Sequence, residues 1–144
     1  MSQREQLLDV VERDLFGDLK DFALLQRAMI DLHGVLLARE CVEINLVNER
    51  IKTLLDAISV RAKRRSKVLG AFQLGADSSA MHALIGYFTR DRQADLQNAW
   101  KTLIESAGHC RALNERNGKL LAMHSDILQQ LLSTDSGQIY SPSI

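Results

Sequence analysis

Four histidines and two cysteines carry the widest chemistry available to this chain. They could ligate a metal, attack an electrophile, or relay a proton or phosphoryl group. Their spacing supports none of these. His109 and Cys110 are adjacent, so on a helix they point about 100° apart and cannot both face one ion. His33, His82, His124 and Cys41 complete no metal-ligand motif, so neither a metal nor a cofactor is expected. No nucleophile–base pairing, phosphate-cradling glycine loop or paired-carboxylate spacing occurs, and the chain is not expected to be an enzyme. A different kind of polar group stands out in Leu113-Asn114-Glu115-Arg116-Asn117-Gly118-Lys119-Leu120-Leu121. The heptad positions of the surrounding helical pattern read Leu96, Trp100, Leu103, Ala107, Cys110, Asn114, Asn117, Leu121, His124, Leu128 and Leu131. Two amides therefore occupy a seam that leucines would fill. A buried amide without a partner costs about 1–3 kcal/mol. Asparagine at such a position fixes register or meets a specific polar partner. The expected chemistry is recognition of another helix.

One histidine merits a separate comparison. Met81-His82-Ala83-Leu84-Ile85-Gly86 resembles the motif of histidine phosphotransfer domains, where a leucine, a lysine and a glycine follow the phosphorylated histidine on a helix bundle. Ile85 stands at the lysine position, so developing phosphoryl charge would have no local cation to stabilise it. A phosphotransfer role is the remote alternative, and a structural histidine is the expectation.

The elements that must position these residues are helices. Ser2 and Glu5 form a capping box that starts the first one. Leu8, Val11, Leu15, Leu19, Phe22, Leu25, Met29, Leu32 and Leu36 follow at three- and four-residue steps, a continuous apolar stripe. The stripe fails at Arg39 and Glu43. A second one, shifted by one residue, runs through Ile44, Val47, Ile51, Leu54 and Ile58. No glycine or proline marks the junction, but the phase break predicts a turn near Ala38–Val42 and an antiparallel hairpin. Arg61, Lys63, Arg64, Arg65 and Lys67 are expected to close the second helix before Gly70, where cations complement the dipole. The same run has a second reading, as a basic patch for an acidic partner. Residues 71–76 read as a loop, Asp77, Ser78 and Ser79 as caps of a short helix ending near Phe88, and Thr89 as the cap of a third long helix ending near Leu132. The expected fold is all-α, an elongated antiparallel bundle of three long helices plus one short helix. Residues 1–132 form the domain, and 133–144 a flexible C-terminal tail.

Composition agrees. Apolar residues make up 46% of the 144, which excludes a disordered chain, while aromatics at 5% favour helix packing over a sheet sandwich. Eighteen basic and eighteen acidic residues cancel, leaving no global field for nucleic acid or an anionic membrane. The single proline is Pro142, beyond the helical pattern. Two cysteines in helical pattern suit reduced thiols. The polar N-terminus lacks the apolar core of a signal peptide, and no stretch approaches the roughly 20 apolar residues of a membrane span. A cytoplasmic protein without membrane insertion is expected.

The asparagine segment resembles the C-terminal helix of FlgN-type flagellar export chaperones. That family shows a leucine, then Asn-x-x-Asn-Gly, then a leucine pair, which Asn114, Asn117, Gly118, Leu120 and Leu121 match. Trp100, the Lys52-Thr53-Leu54-Leu55 segment and the tail Tyr140 are similar to the family's layout. The tail departs from it, with Tyr140-Ser141-Pro142-Ser143 where members often carry Tyr-Gly-Pro followed by glycine. The resemblance implies a cytosolic chaperone of type III flagellar export. It would bind the disordered C-terminal helical segments of the hook–filament junction proteins FlgK and FlgL and keep them unassembled. It also implies contact with the flagellar export gate and ATPase complex, with Tyr140 docking at the gate.

An apolar groove is a physical means of holding such a segment. Leu113, Leu120 and Ile127 form a second apolar line beside the seam, serving either as a groove or as a wider core face. The expected helix lengths are roughly 54, 39 and 65 Å at about 1.5 Å per residue. The third helix should therefore overhang the hairpin turn with Leu120, Leu121, Ile127, Leu128, Leu131 and Leu132. The substrate-protein site is accordingly placed at Leu113, Asn114, Asn117, Leu120, Leu121, Ile127, Leu128 and Leu131. A structural coiled-coil adaptor or homodimer, its surplus leucines pairing with a second copy, is the alternative.

Overall fold

The computed structural model describes residues 2–77 and 79–136, with residues 121–136 as helix backbone. Among them there is no strand. The helices are α1 (Gln3–Ala38), α2 (Cys41–Ala71), α3 (Ala80–Ile85) and α4 (Arg90–Ser136). This is the all-α arrangement of three long helices and one short that the periodicity predicts.

The ends of the helices have local causes. The Ser2 hydroxyl accepts the Glu5 N–H at 3.1 Å and caps α1. At the phase break, Arg39 takes the left-handed conformation, φ 57° and ψ 38°. Its N–H donates to the Leu36 carbonyl, and the Glu40 N–H donates to Val35. Orphan carbonyls are thus satisfied without the usual glycine, at a conformational cost of about 1–2 kcal/mol. The hairpin turn falls inside the predicted window. The end of α2 corrects the sequence reading. The helix runs through Gly70 to Ala71 and turns back at Phe72 and Gln73, the latter at φ 57°. The cations from Arg61 to Lys67 therefore lie within the helix, more than a turn from its end. The short helix is also briefer than expected. Asp77 Oδ1 accepts from the Ser79 N–H and hydroxyl ahead of it, and Phe88 packs into the core from beyond its end.

α1 is the central element. Asp31 pairs with Arg50 near the turn, and Asp14 with Arg64 at the far end, so α2 runs antiparallel to α1. Arg92 meets Glu12 and Asp9, and Asn117 meets Met29 and His33, so α4 runs parallel to α1 and antiparallel to α2. Among the described residues the backbones of α2 and α4 do not pack on each other. They meet through side chains, with the Arg65 guanidinium 5.3 Å from the centre of the Trp100 ring.

Two apolar cores stack along α1. The first joins Leu8, Val11 and Leu15 to Val68 and Leu69 of α2, Met81, Leu84 and Ile85 of α3, and Leu96, Ala99 and Leu103 of α4. The second joins Leu25, Ala28, Met29, Leu32 and Leu36 to Val47 and Ile51 of α2 and Cys110 of α4. Each fully buried leucine among them contributes about 1.5–3 kcal/mol. The short α3 fills the space between α2 and α4 at the end remote from the hairpin turn.

The register also fixes how far α4 extends. Asn117 lies level with Met29 and His33. Ala38 is five residues beyond His33 and nine beyond Met29, so the end of α1 is level with about residues 122–126 of α4. The helix continues to Ser136, about 15–20 Å farther at 1.5 Å per residue.

Candidate helix-binding surface

The seam of α4 faces α1 as the heptads require. Leu96, Leu103, Cys110 and Asn117, each seven residues from the next, are all buried. Asn117 is only 2% exposed. Its Nδ2 donates to the Met29 carbonyl at 2.9 Å, and its Oδ1 lies 3.2 Å from Nδ1 of the half-buried His33. The amide is therefore satisfied, and its partner is α1 of the same chain. It locks the register of the two parallel helices and is not presented to an outside helix.

Asn114 requires a correction. It is exposed, not part of the buried seam. Positions four residues after the seam, Trp100 and Ala107, are half-buried on the flank toward α2. Because α2 and α4 keep their backbones apart, the next residue of that row is left in water. Leu113 and Leu120 are half-buried and pack against the second core, so in this chain they widen the core face. The side chains of Leu121, Ile127, Leu128 and Leu131 lie outside the described residues, as does Tyr140.

The remaining candidates for chemistry do not converge. His82 is exposed, with Nδ1 2.7 Å from Gln97 Oε1. Ile85, at the position a phosphotransfer lysine would take, is 1% exposed and packs in the first core. Cys41 is exposed and Cys110 buried. Burial raises the Cys110 thiol above its usual range, which keeps it protonated and unreactive. No group of three or more potential metal ligands occurs among the described residues.

The feature that periodicity missed is ionic. Asp14, Asp18 and Asp21 interrupt the apolar face of α1, and Asp18 is fully buried. Arg64 grips Asp14 with two bonds, 2.5 and 2.9 Å. Arg65 bonds Asp18 at 2.8 Å, and Arg61 spans Asp21 at 2.6 Å and Asp18 at 3.4 Å. The hydrogen bond to Asp21 raises the Arg61 pKa, and the one to Asp14 does the same for Arg64. Three of the five cations of the basic run are thus committed within the bundle, and the run is not a free patch for an acidic partner. The signal was present as matching four- and three-residue spacings on α1 and α2, but pairing them needs the register of the hairpin.

No helix among the described residues is long and apolar enough to cross a membrane. The family model described as FlgN protein matches residues 19–142. No curated protein and no solved structure matches the chain. The match spans most of α1, all of α2, α3 and α4, and the segment beyond. It bears out the resemblance carried by the asparagine segment.

Proposed function

From the premise that this chain belongs to the FlgN family, a family of flagellar export chaperones, we propose that it binds the C-terminal helical segments of FlgK and FlgL and holds them unassembled before secretion. The observation that carries the reading is the length of α4. The helix passes the level of the hairpin turn at about residues 122–126 and continues to Ser136, and Ile127, Leu128, Leu131 and Leu132 belong to that stretch, whereas Leu120 and Leu121, expected in the overhang, fall short of it. Four large apolar residues on a helix that runs past the turn are suited to an amphipathic partner helix. Leu113 and Leu120 would border it from the bundle side. In this reading the chain acts in the cytoplasm by binding alone, without catalysis. Residues 1–132 form the working domain, and the stretch 133–144, into which α4 continues as far as Ser136, brings Tyr140 to the export gate and ATPase complex.

Co-purification with the C-terminal segments of FlgK and FlgL tests the proposal. Leu128→Glu with Leu131→Glu should abolish capture and leave the melting temperature unchanged. Deleting residues 133–144 should spare capture and reduce secretion in a complemented null strain. A wild-type chain that captures neither segment overturns the proposal. A melting temperature that collapses in the double variant places those leucines in a core and moves the site elsewhere.

A further inference from the structure

α1 carries three parallel rows at seven-residue spacing, and one of them is uncovered. The central row, Leu8, Leu15, Phe22, Met29 and Leu36, runs through both cores. One residue earlier, or about 100° to one side, Asp14, Asp21, Ala28 and Val35 form the row that α2 covers, through Arg64 and Arg61. One residue later, about 100° to the other side, stand Phe16, Ala23, Ile30 and Leu37. Phe16 is 47% exposed, Ile30 48% and Leu37 60%, and Ala23 is also exposed. The row borders α4, because Asp9, seven residues before Phe16, reaches Arg92. At Ile30 the row also meets α2, sharing with Gly34 an open groove lined by Glu43, Leu46, Val47 and Arg50, while its outer side stays exposed.

The uncovered row has a basic edge. Three residues before Phe16, Ala23 and Ile30 stand Arg13, Lys20 and Arg27, all exposed and again seven residues apart. Arg13 makes only a 3.7 Å contact with Asp14, and Lys20 and Arg27 form no ion pair among the described residues. In a chain whose charges sum to zero, three aligned cations without an interleaved acid form a local field of one sign. Gly34 continues the same row with open space where a Cβ would stand, so a second backbone can approach closely there. From Phe16 to Leu37 the row is about 32 Å long, the length of three heptads.

We infer that the row Phe16, Ala23, Ile30 and Leu37, with its edge Arg13, Lys20 and Arg27, is a docking strip for a partner's amphipathic helix whose apolar heptad line is flanked by acidic residues. Apolar positions at a strict interval of seven give one of the two apolar lines of a coiled-coil seam, and the cations stand where the second would run. The basic edge selects acid at the flanking positions and disfavours base there. A lipid surface would want a broad apolar face, whereas this one is a single residue wide. The strip ends at Leu37, beside the turn past which α4 projects, so a helix held by that projection could continue along α1. The inference rests on the proposed function only for the owner of that helix.

Two synthetic helical peptides of four heptads test it by titration calorimetry, with leucine at the apolar positions and either glutamate or lysine at the flanking ones. The wild-type chain should bind the glutamate peptide in preference. Ile30→Asp with Leu37→Asp, both at exposed sites, should weaken that binding at least about thirtyfold with an unchanged melting temperature. Lys20→Glu with Arg27→Glu should reverse the preference. The strip is overturned if wild type binds the two peptides equally or neither, or if Ile30→Asp/Leu37→Asp binds as well as wild type. It is equally overturned if that variant dissolves a wild-type dimer in sedimentation, or loses wild-type binding to phosphatidylcholine–phosphatidylglycerol vesicles. Those results would assign the row to a second copy or to lipid. Binding of the glutamate peptide without capture of FlgK or FlgL segments supports the strip and refutes the proposed function. Capture of those segments that is lost in Leu128→Glu/Leu131→Glu, by a wild-type chain that binds neither peptide, does the reverse.

Discussion

Replacing Arg65 by methionine tests whether the basic run of α2 is structural. The substitution keeps most of the stem and removes the guanidinium. Asp18, fully buried, loses its 2.8 Å partner and keeps only the 3.4 Å contact with an Arg61 already engaged by Asp21. Removing one member of a buried pair leaves an uncompensated charge, which costs about 3–5 kcal/mol. Loss of the stacking of Arg65 on Trp100 adds up to about 1 kcal/mol. For a chain of this size that corresponds to a fall of roughly 10–20 °C in melting temperature. The assay is urea unfolding followed by helical circular dichroism at pH 7. Asp18→Leu should cost less, because Arg61 and Arg65 lie near the surface and can turn to water. Asp18→Leu with Arg65→Met exchanges the pair for apolar contacts and should recover to within about 1–2 kcal/mol of wild type. An Arg65→Met cost below about 1 kcal/mol, or a double variant as unstable as the two single changes added together, would refute the buried-pair account.

Asn117→Leu exchanges an amide for a side chain of nearly the same shape. It removes two bonds worth about 1 kcal/mol each and adds apolar burial, so stability should stay within about 1 kcal/mol of wild type. Asn117→Asp sets a carboxylate against the Met29 carbonyl and should cost about 3 kcal/mol at pH 7; equal stability of the two variants in urea would sink this assignment. For Cys110 the folded thiol is raised above its unfolded value by burial. Its contribution is therefore intact below about pH 9 and is lost as pH rises through the folded value. Cys110→Ala should accordingly lose stability less steeply than wild type as pH rises above about 9, and parallel curves would contradict it.

Much of the scaffold was legible in the chain because helices declare themselves locally. The apolar steps from Leu8 to Leu36 correspond to the face of α1 that is covered, and the one-residue phase shift after Leu36 is the hairpin turn, even with Arg39 where glycine is usual. The α4 seam through Leu96, Leu103, Cys110 and Asn117 was equally readable, as was the family, from Asn114 to Leu121. These features repeat along one helix, and a period of 3.5 to 3.6 residues is a property of one helix. What the tertiary structure decided depends on two helices at once. Asn114 and Asn117 are the same residue type three positions apart. Only the placement of α1 and the gap between α2 and α4 make one a buried lock and the other a surface amide. Asp14, Asp18 and Asp21 look like ordinary solvated charges until the register of the hairpin sets them against Arg61, Arg64 and Arg65. Phe16, Ala23, Ile30 and Leu37 become an open strip only when α2 and α4 are seen to border it without covering it. A charge or a leucine takes its meaning from what stands opposite. That pairing is set by inter-helix register, which no pattern within a single helix contains.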